Sequence, residues 1–226
     1  MDDAALPKLV VARDPGAEAA RRIAGWLRHA LASQETATLA LSGGSTPVPM
    51  FRALAADQAV DWERVHVVQV DERVAPDGDP ERNAVALQAE LPRACHLHLM
   101  DVTADDLEEA ARAYERLLDE LTGGDGLDVV HLGIGDDGHT ASWPPGDPVT
   151  DVVDRTVVLT GVFNGWRRMT LTVPAVAAAT HRLVLVDGAD KAPALARWLD
   201  GDPTVPVAHV SGPTVVVADG AAAGVG

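Results

Sequence analysis

The sequence is poor in cysteine, in lysine and in long uncharged runs, and each shortage excludes something. Cys95 is the only cysteine among 226 residues, so no intramolecular disulfide can form and an oxidising compartment offers this chain nothing. That favours the cytoplasm. No uncharged stretch free of proline and glycine reaches the ~18 residues that a membrane span needs. The N-terminal MDDAALPKLV is acidic, without a basic segment followed by an apolar run, so neither export nor membrane insertion is expected. There is no linker, repeat or low-complexity segment. With 47% hydrophobic residues, the chain can bury a core without a disulfide framework or a structural metal.

Positive charge is the other shortage. Lysine and arginine total 18 against 34 aspartates and glutamates, a formal net charge of −16, which repels a phosphate backbone over most of the surface. Nucleic acid is therefore a poor partner. Lys8 and Lys191 are the only lysines, so an anionic ligand must be held by a few placed cations.

What is present is a regular alternation. Short runs rich in Val, Leu and Ile fall near Leu9–Ala12, Thr38–Leu41, Val65–Val70, His96–Leu99, Asp128–Leu132, Thr156–Thr160, Arg168–Thr172, Arg182–Val186 and Thr214–Ala218, and read as strands. Helical stretches separate many of them. Gly16–Ser33 places Ile23, Leu27 and Leu31 on one face; Asn83 is placed to cap Ala84–Leu91, and Thr103 to cap Ala104–Leu121. The expected fold is α/β: a single domain over residues 1–226 with a mostly parallel, Rossmann-like sheet and helices on both faces.

Ligands of such sheets bind outside the carboxyl ends of the strands. Four loops there carry unusual chemistry: LSGGSTP (41–47), DERVAPDGDPERN (71–83), GIGDDGHTASWPPG (133–146) and DGADK (187–191). In the first, Ser42, Gly43, Gly44, Ser45 and Thr46, with Pro47 at a plausible first helical position, can aim amides and hydroxyls at an anion. An ordinary strand-to-helix turn capped by Ser45 or Thr46 has the same composition. Pro47 spoils a Gly-x-Ser-x-Gly nucleophile elbow, and a Walker loop lacks its lysine. Gly133, Gly135 and Gly138 formally match a dinucleotide fingerprint, but Asp136 and Asp137 would face the pyrophosphate and Trp143-Pro144-Pro145 interrupts the helix that should follow. That loop is built instead to hold His139, with Asp136 or Asp137 to fix its tautomer.

Asp71, Glu72 and Arg73 supply two acceptors and a planar donor at a strand end, suited to sugar hydroxyls, to a phosphate or to orienting one another. Lys191 opens a helix after Gly188. His96 and His98 share one face of a strand, but no carboxylate or third histidine is near in sequence, so they read as edge-strand residues and no metal site is expected.

Together SGGSTP (42–47), DERVAPDGDPERN (71–83), LGIGDDGHTAS (132–142), RMTLT (168–172) and DGADKA (187–192) resemble the 6-phosphogluconolactonase family, within the glucosamine-6-phosphate isomerase/deaminase-like superfamily, from about Val10 to Asp219. The deaminase branch usually has Tyr where this chain has Arg73, and Ile-Ala-Phe-Asn-Glu-Pro where it has Thr140–Pro145. The chain departs from the lactonase pattern at Gln69-Val70, Arg82, Trp143-Pro144 and Val216, positions expected to touch the pocket rim and substrate contacts. The resemblance implies hydrolysis of 6-phospho-D-glucono-1,5-lactone in the oxidative pentose phosphate pathway. It gives a catalytic set of His139 as general base on water, Asp137 and Arg73. Substrate contacts are implied for Asp71, Arg168, Lys191 and Ser42–Thr46, with Arg73 and Arg168 on substrate oxygens or developing charge and Lys191 and the Ser42–Thr46 loop on the 6-phosphate. No cofactor is implied, and the protein is expected to be a monomer or small homo-oligomer. An aminosugar-phosphate deaminase or isomerase, or a non-catalytic sugar-phosphate-binding protein, are the alternatives.

Overall fold

The structure, a computed structural model, describes residues 7–225. Residues 1–6 of the acidic N-terminal stretch and Gly226, both within the expected 1–226 domain, lie outside the described residues. In chain order the elements are β1 (Lys8–Val11), α1 (Pro15–Leu31), β2 (Ala37–Leu41), α2 (Val48–Ala56), β3 (Val65–Gln69), β4 (Asp71–Arg73), α3 (Asn83–Glu90), β5 (His96–His98), α4 (Leu107–Thr122) and β6 (Val129–Gly133). They continue with β7 (Val157–Leu159), β8 (Arg168–Leu171), α5 (Val173–Ala177), β9 (His181–Val186), α6 (Ala192–Leu199) and β10 (Thr214–Ala218). Each strand read from the sequence is present.

Seven strands form one sheet in the order β1-β10-β9-β6-β2-β3-β5, every neighbouring pair parallel. Alternate side chains supply two cores, as a sheet covered on both faces requires. Ala40, Val68, Val130, Leu132, Val184 and Val216 pack with α4 and α6. Leu39, Leu41, Val67, Leu183 and Val217 pack with Ile23 and Leu27 of α1 and Phe51 and Leu54 of α2. From β2 the chain builds outward to β3 and β5, then crosses back to β6, β9 and β10. The loops after β2 and β6 therefore diverge at a switch point, where a crevice opens.

Three expectations need correction. The 71–73 segment, read as loop, is a short strand: β4 pairs antiparallel with β8, and β8 with β7, making a separate three-stranded sheet. Asp-Glu-Arg is a poor strand former by propensity, and this non-local pairing overrides it. Helix α4 does not begin after Thr103. Asp106 caps it, its Oδ1 accepting the Glu109 amide at 3.0 Å, while the Thr103 hydroxyl donates to Asp101. Asp106→Ala is expected to cost ~1 kcal/mol of unfolding free energy, measured by urea denaturation, and Thr103→Ala much less; equal losses would contradict this assignment. Finally, the Asn83 side chain caps nothing. The Asn83 and Ala84 amides donate instead to the two oxygens of Glu72, each at 2.8 Å, and Asn83 turns toward the cleft.

Candidate active site

The four loops converge on one cleft of about 240 Å³. Ser42, Gly43, Gly44, Ser45 and Thr46 line it, with Asp71, Arg73, His139, Arg168 and Lys191. Of the expected site residues only Asp137 stands behind the lining, and it touches His139. Asn83, His131, Thr140 and Asp187 also line the cleft and were not singled out as ligand-facing from the sequence.

Local chain geometry fixes the histidine. The Gly135 amide donates to the His139 carbonyl at 2.8 Å and the Gly138 amide to the Gly135 carbonyl at 3.1 Å, with Gly138 at φ +87°. A Cβ at Gly135 would overlap the imidazole itself. Asp137 Oδ1 lies 2.6 Å from His139 Nδ1 and accepts the His139 amide at 3.0 Å. Burial raises the Asp137 carboxyl, but the amide and ring N–H of His139 outweigh it and hold the group below the usual carboxylate range. An ionised carboxylate only accepts, so Nδ1 carries a proton, and in the neutral ring Nε2 is the nitrogen with the lone pair.

The arginines meet through the small sheet. The β4–β8 register sets Arg73 opposite Arg168. Arg168 Nη1 lies 3.7 Å from Asp71 Oδ2, and that same oxygen accepts the Ser142 hydroxyl at 2.6 Å. Burial pushes the Asp71 carboxyl up, with Ser142 and Arg168 opposing. Asn83 joins the pair: its Nδ2 donates to the Asp71 carbonyl at 2.9 Å and its Oδ1 accepts from Arg73 Nη1 at 3.1 Å. A Cβ at Gly43 would overlap Asn83, so this glycine is needed where the anion-suited loop crosses the arginine cluster. Glu72 faces inward, fully buried, accepting from Gln69 Nε2, the Arg73 amide and the start of α3. It is part of the scaffold.

Lys191 ends a 3₁₀ turn after β9, with Nζ 2.9 Å from Asp190 Oδ2. His131 stands in β6 between Leu41 and Leu183 and is 1% exposed. Neither ring nitrogen meets a hydrogen-bonding partner among the described residues, and burial pushes its pKa down to about 3, so the ring is neutral.

The family model described as glucosamine-6-phosphate isomerases/6-phosphogluconolactonase matches residues 12–217. The chain belongs to this family. It is 39% identical over 180 residues to the 6-phosphogluconolactonase of Synechocystis sp., covering 75% of this chain and 74% of that one. It is 36% identical over 220 residues to the 6-phosphogluconolactonase of Streptomyces coelicolor, covering 86% and 84%. The crystal structure of 6-phosphogluconolactonase from Thermotoga maritima superposes with a TM-score of 0.83 at 26% identity, over 94% of this chain and 99% of that one. A monomeric glucosamine-6-phosphate deaminase superposes with a TM-score of 0.81 at 20% identity, which shows the shared fold alone.

Within this family the chain's departures prove internal, correcting the expectation that they touch the rim. Trp143 is fully buried, its indole N–H donating to the Leu171 carbonyl at 2.8 Å. Gln69 bonds Glu72 and the Met100 amide. Arg82 packs behind Glu72 and donates to the Ala75 carbonyl, and Val216 is in the core. None lines the cleft. His96 and His98 stay at the sheet edge, where His98 Nε2 meets His66 Nδ1 at 2.9 Å.

Proposed function

We propose that this member of the family hydrolyses 6-phospho-D-glucono-1,5-lactone to 6-phospho-D-gluconate in the oxidative pentose phosphate pathway, as a single domain over 1–226 in the cytoplasm. The observation that carries the reading is the Asp137–His139 bond, which leaves Nε2 as a free base in a cleft also lined by two arginines, a lysine and a glycine–hydroxyl loop. Water attacks C1 while Nε2 takes its proton. The carbonyl π electrons move onto oxygen, giving an oxyanion. Arg168, which shares the Phe163 ring with His139, faces that charge, and Arg73 stands opposite it. When the oxyanion collapses, the bond from C1 to the ring oxygen breaks and the imidazolium returns its proton to that oxygen. Asp71 orients Arg168. The Ser42–Thr46 loop and Lys191 hold the 6-phosphate. A lactone ester is already activated, so the reading needs neither a nucleophilic serine nor a cofactor. Nucleic acid is not a partner, and the protein works as a monomer or small homo-oligomer.

Timed hydrolysis of freshly made 6-phosphogluconolactone, corrected for its spontaneous background, tests this directly. Enzyme-dependent acceleration is expected. Ammonia release from glucosamine 6-phosphate without lactone hydrolysis would instead mark a deaminase. Among the described residues no group of three or more His, Cys, Asp or Glu is arranged to hold a metal ion. Incubation with EDTA should therefore leave the rate unchanged. Loss of activity restored by one divalent ion would overturn that.

A further inference from the structure

Between β7 and β8 the chain makes a hairpin whose tip lies beside the base. Asn164 and Gly165 both have positive φ, +48° and +83°, the combination a two-residue type I′ turn requires. Phe163 and Trp166 form an antiparallel bridge across it, the Phe163 amide donating to the Trp166 carbonyl at 2.9 Å and the Trp166 amide returning a bond at 3.3 Å. Below the tip, the Thr160 amide donates to the Arg168 carbonyl at 2.8 Å. The tip is thus defined by its own backbone.

One of its half-buried aromatic rings, Phe163, meets two groups the reaction uses. The Phe163 ring packs edge-to-face with His139, centroids 5.0 Å apart at 74°. The Arg168 guanidinium carbon lies over the same ring, 5.2 Å from its centroid. Both are favourable geometries for an aromatic face and edge. Asp137 grips His139 at Nδ1 alone, which leaves the ring's tilt about that bond to other contacts. Arg168 has a 3.7 Å ion pair at Nη1 and a buried Nε with no partner among the described residues. Phe163 gives each of the two groups a further contact.

We propose that Phe163 is a positioning residue: clamped at the hairpin tip, it sets the plane of the His139 imidazole and the head of Arg168 relative to each other. This rests on reading His139 as the base. Phe163 does not line the cleft, so it acts on groups that work in the transition state and leaves ground-state binding alone.

Phe163→Ala is expected to lower kcat for 6-phosphogluconolactone roughly 10-fold with KM within about twofold, since small misplacements of catalytic groups carry losses of this order or more. Phe163→Tyr keeps the ring and should restore most of the rate; Phe163→Leu fills the space without a ring and should not. Gly165→Val strains the positive φ and should reproduce the alanine phenotype. Val162→Ala, at an exposed side chain beside the tip, should change nothing. In the Phe163→Ala/His139→Ala double variant the combined loss should fall short of the product of the two single losses. If His139→Ala abolishes turnover while Phe163→Ala keeps kcat within twofold, or if leucine rescues as well as tyrosine, the positioning role is overturned and the base stands. If His139→Ala itself turns over normally, both fall.

Discussion

His139→Ala is expected to reduce turnover by about 10²–10⁴-fold, the range a positioned general base supplies, with no measurable change in unfolding. The imidazole is a quarter exposed on a loop, and its removal opens no core cavity; the glycines that shape the loop remain. A folded variant with near-normal rate would end the general-base role. The pH dependence has the matching sign. The base must be unprotonated to accept a proton, so kcat/KM should fall on acidification as His139 takes one up. Asp137 does not add to that acid limb. Its carboxyl is held below the usual carboxylate range by the His139 amide and ring, against burial, so it ionises more readily than an ordinary carboxylate. Its contribution to stability is complete above the ordinary carboxylate value of about 3.9 and is lost only as pH falls through its lower folded value. A flat profile from pH 5 to 8 would point to another base.

How much of this was legible in sequence follows from where the signals are local. The inner parallel strands β2, β3, β6, β9 and β10 are largely buried, mostly apolar runs bounded by turns, and each was readable within its own few residues. The loops after them could then be assigned to one edge of the sheet, which brought Ser42–Thr46, Arg73, His139 and Lys191 together from the sequence, whereas Arg168, at the start of a strand, was implied only by the family resemblance. Features made by distant pairing were not readable. Asp71–Arg73 becomes a strand only because Arg168–Leu171 lies beside it. Asn83 looked like a helix cap because that is what asparagine does at helix starts; a glutamate eleven residues earlier took the task. Phe163 carried no signal beyond the Asn164-Gly165 dipeptide, itself a strong hairpin marker, and its contacts with His139 and Arg168 depend on two separate loops. His131 breaks the local rule most plainly. It puts an imidazole where Leu41 and Leu183 flank it in the neighbouring strands, a mismatch that only the assembled sheet reveals.

Lys191→Ala should weaken use of the phosphorylated lactone by roughly 10–150-fold in kcat/KM, the equivalent of about 1.5–3 kcal/mol for a charged hydrogen bond, while hardly changing the poor hydrolysis of unphosphorylated gluconolactone. At a net charge of −16 the protein repels a dianion unless local cations overcome the field. The cleft's cations are not equally free. Arg168 is committed to Asp71 and to the face of Phe163, and Arg73 to Asn83 and the Glu81 carbonyl. Among the described residues Lys191 is paired only with Asp190, whose side chain is 66% exposed. Water competes well for the exposed Asp190 carboxylate, so the ammonium can be turned over to a phosphate at little cost. Lys191 also follows β9 and shares the cleft with Ser42–Thr46, so hydroxyls, amides and one point charge can converge on the same group. Comparing the two lactones isolates the phosphate, because both contain the ester that is cleaved. Equal slowing of both substrates would mean that Lys191 serves the carbonyl or the fold, and the phosphate would pass to Arg73, Arg168 and the Ser42–Thr46 loop.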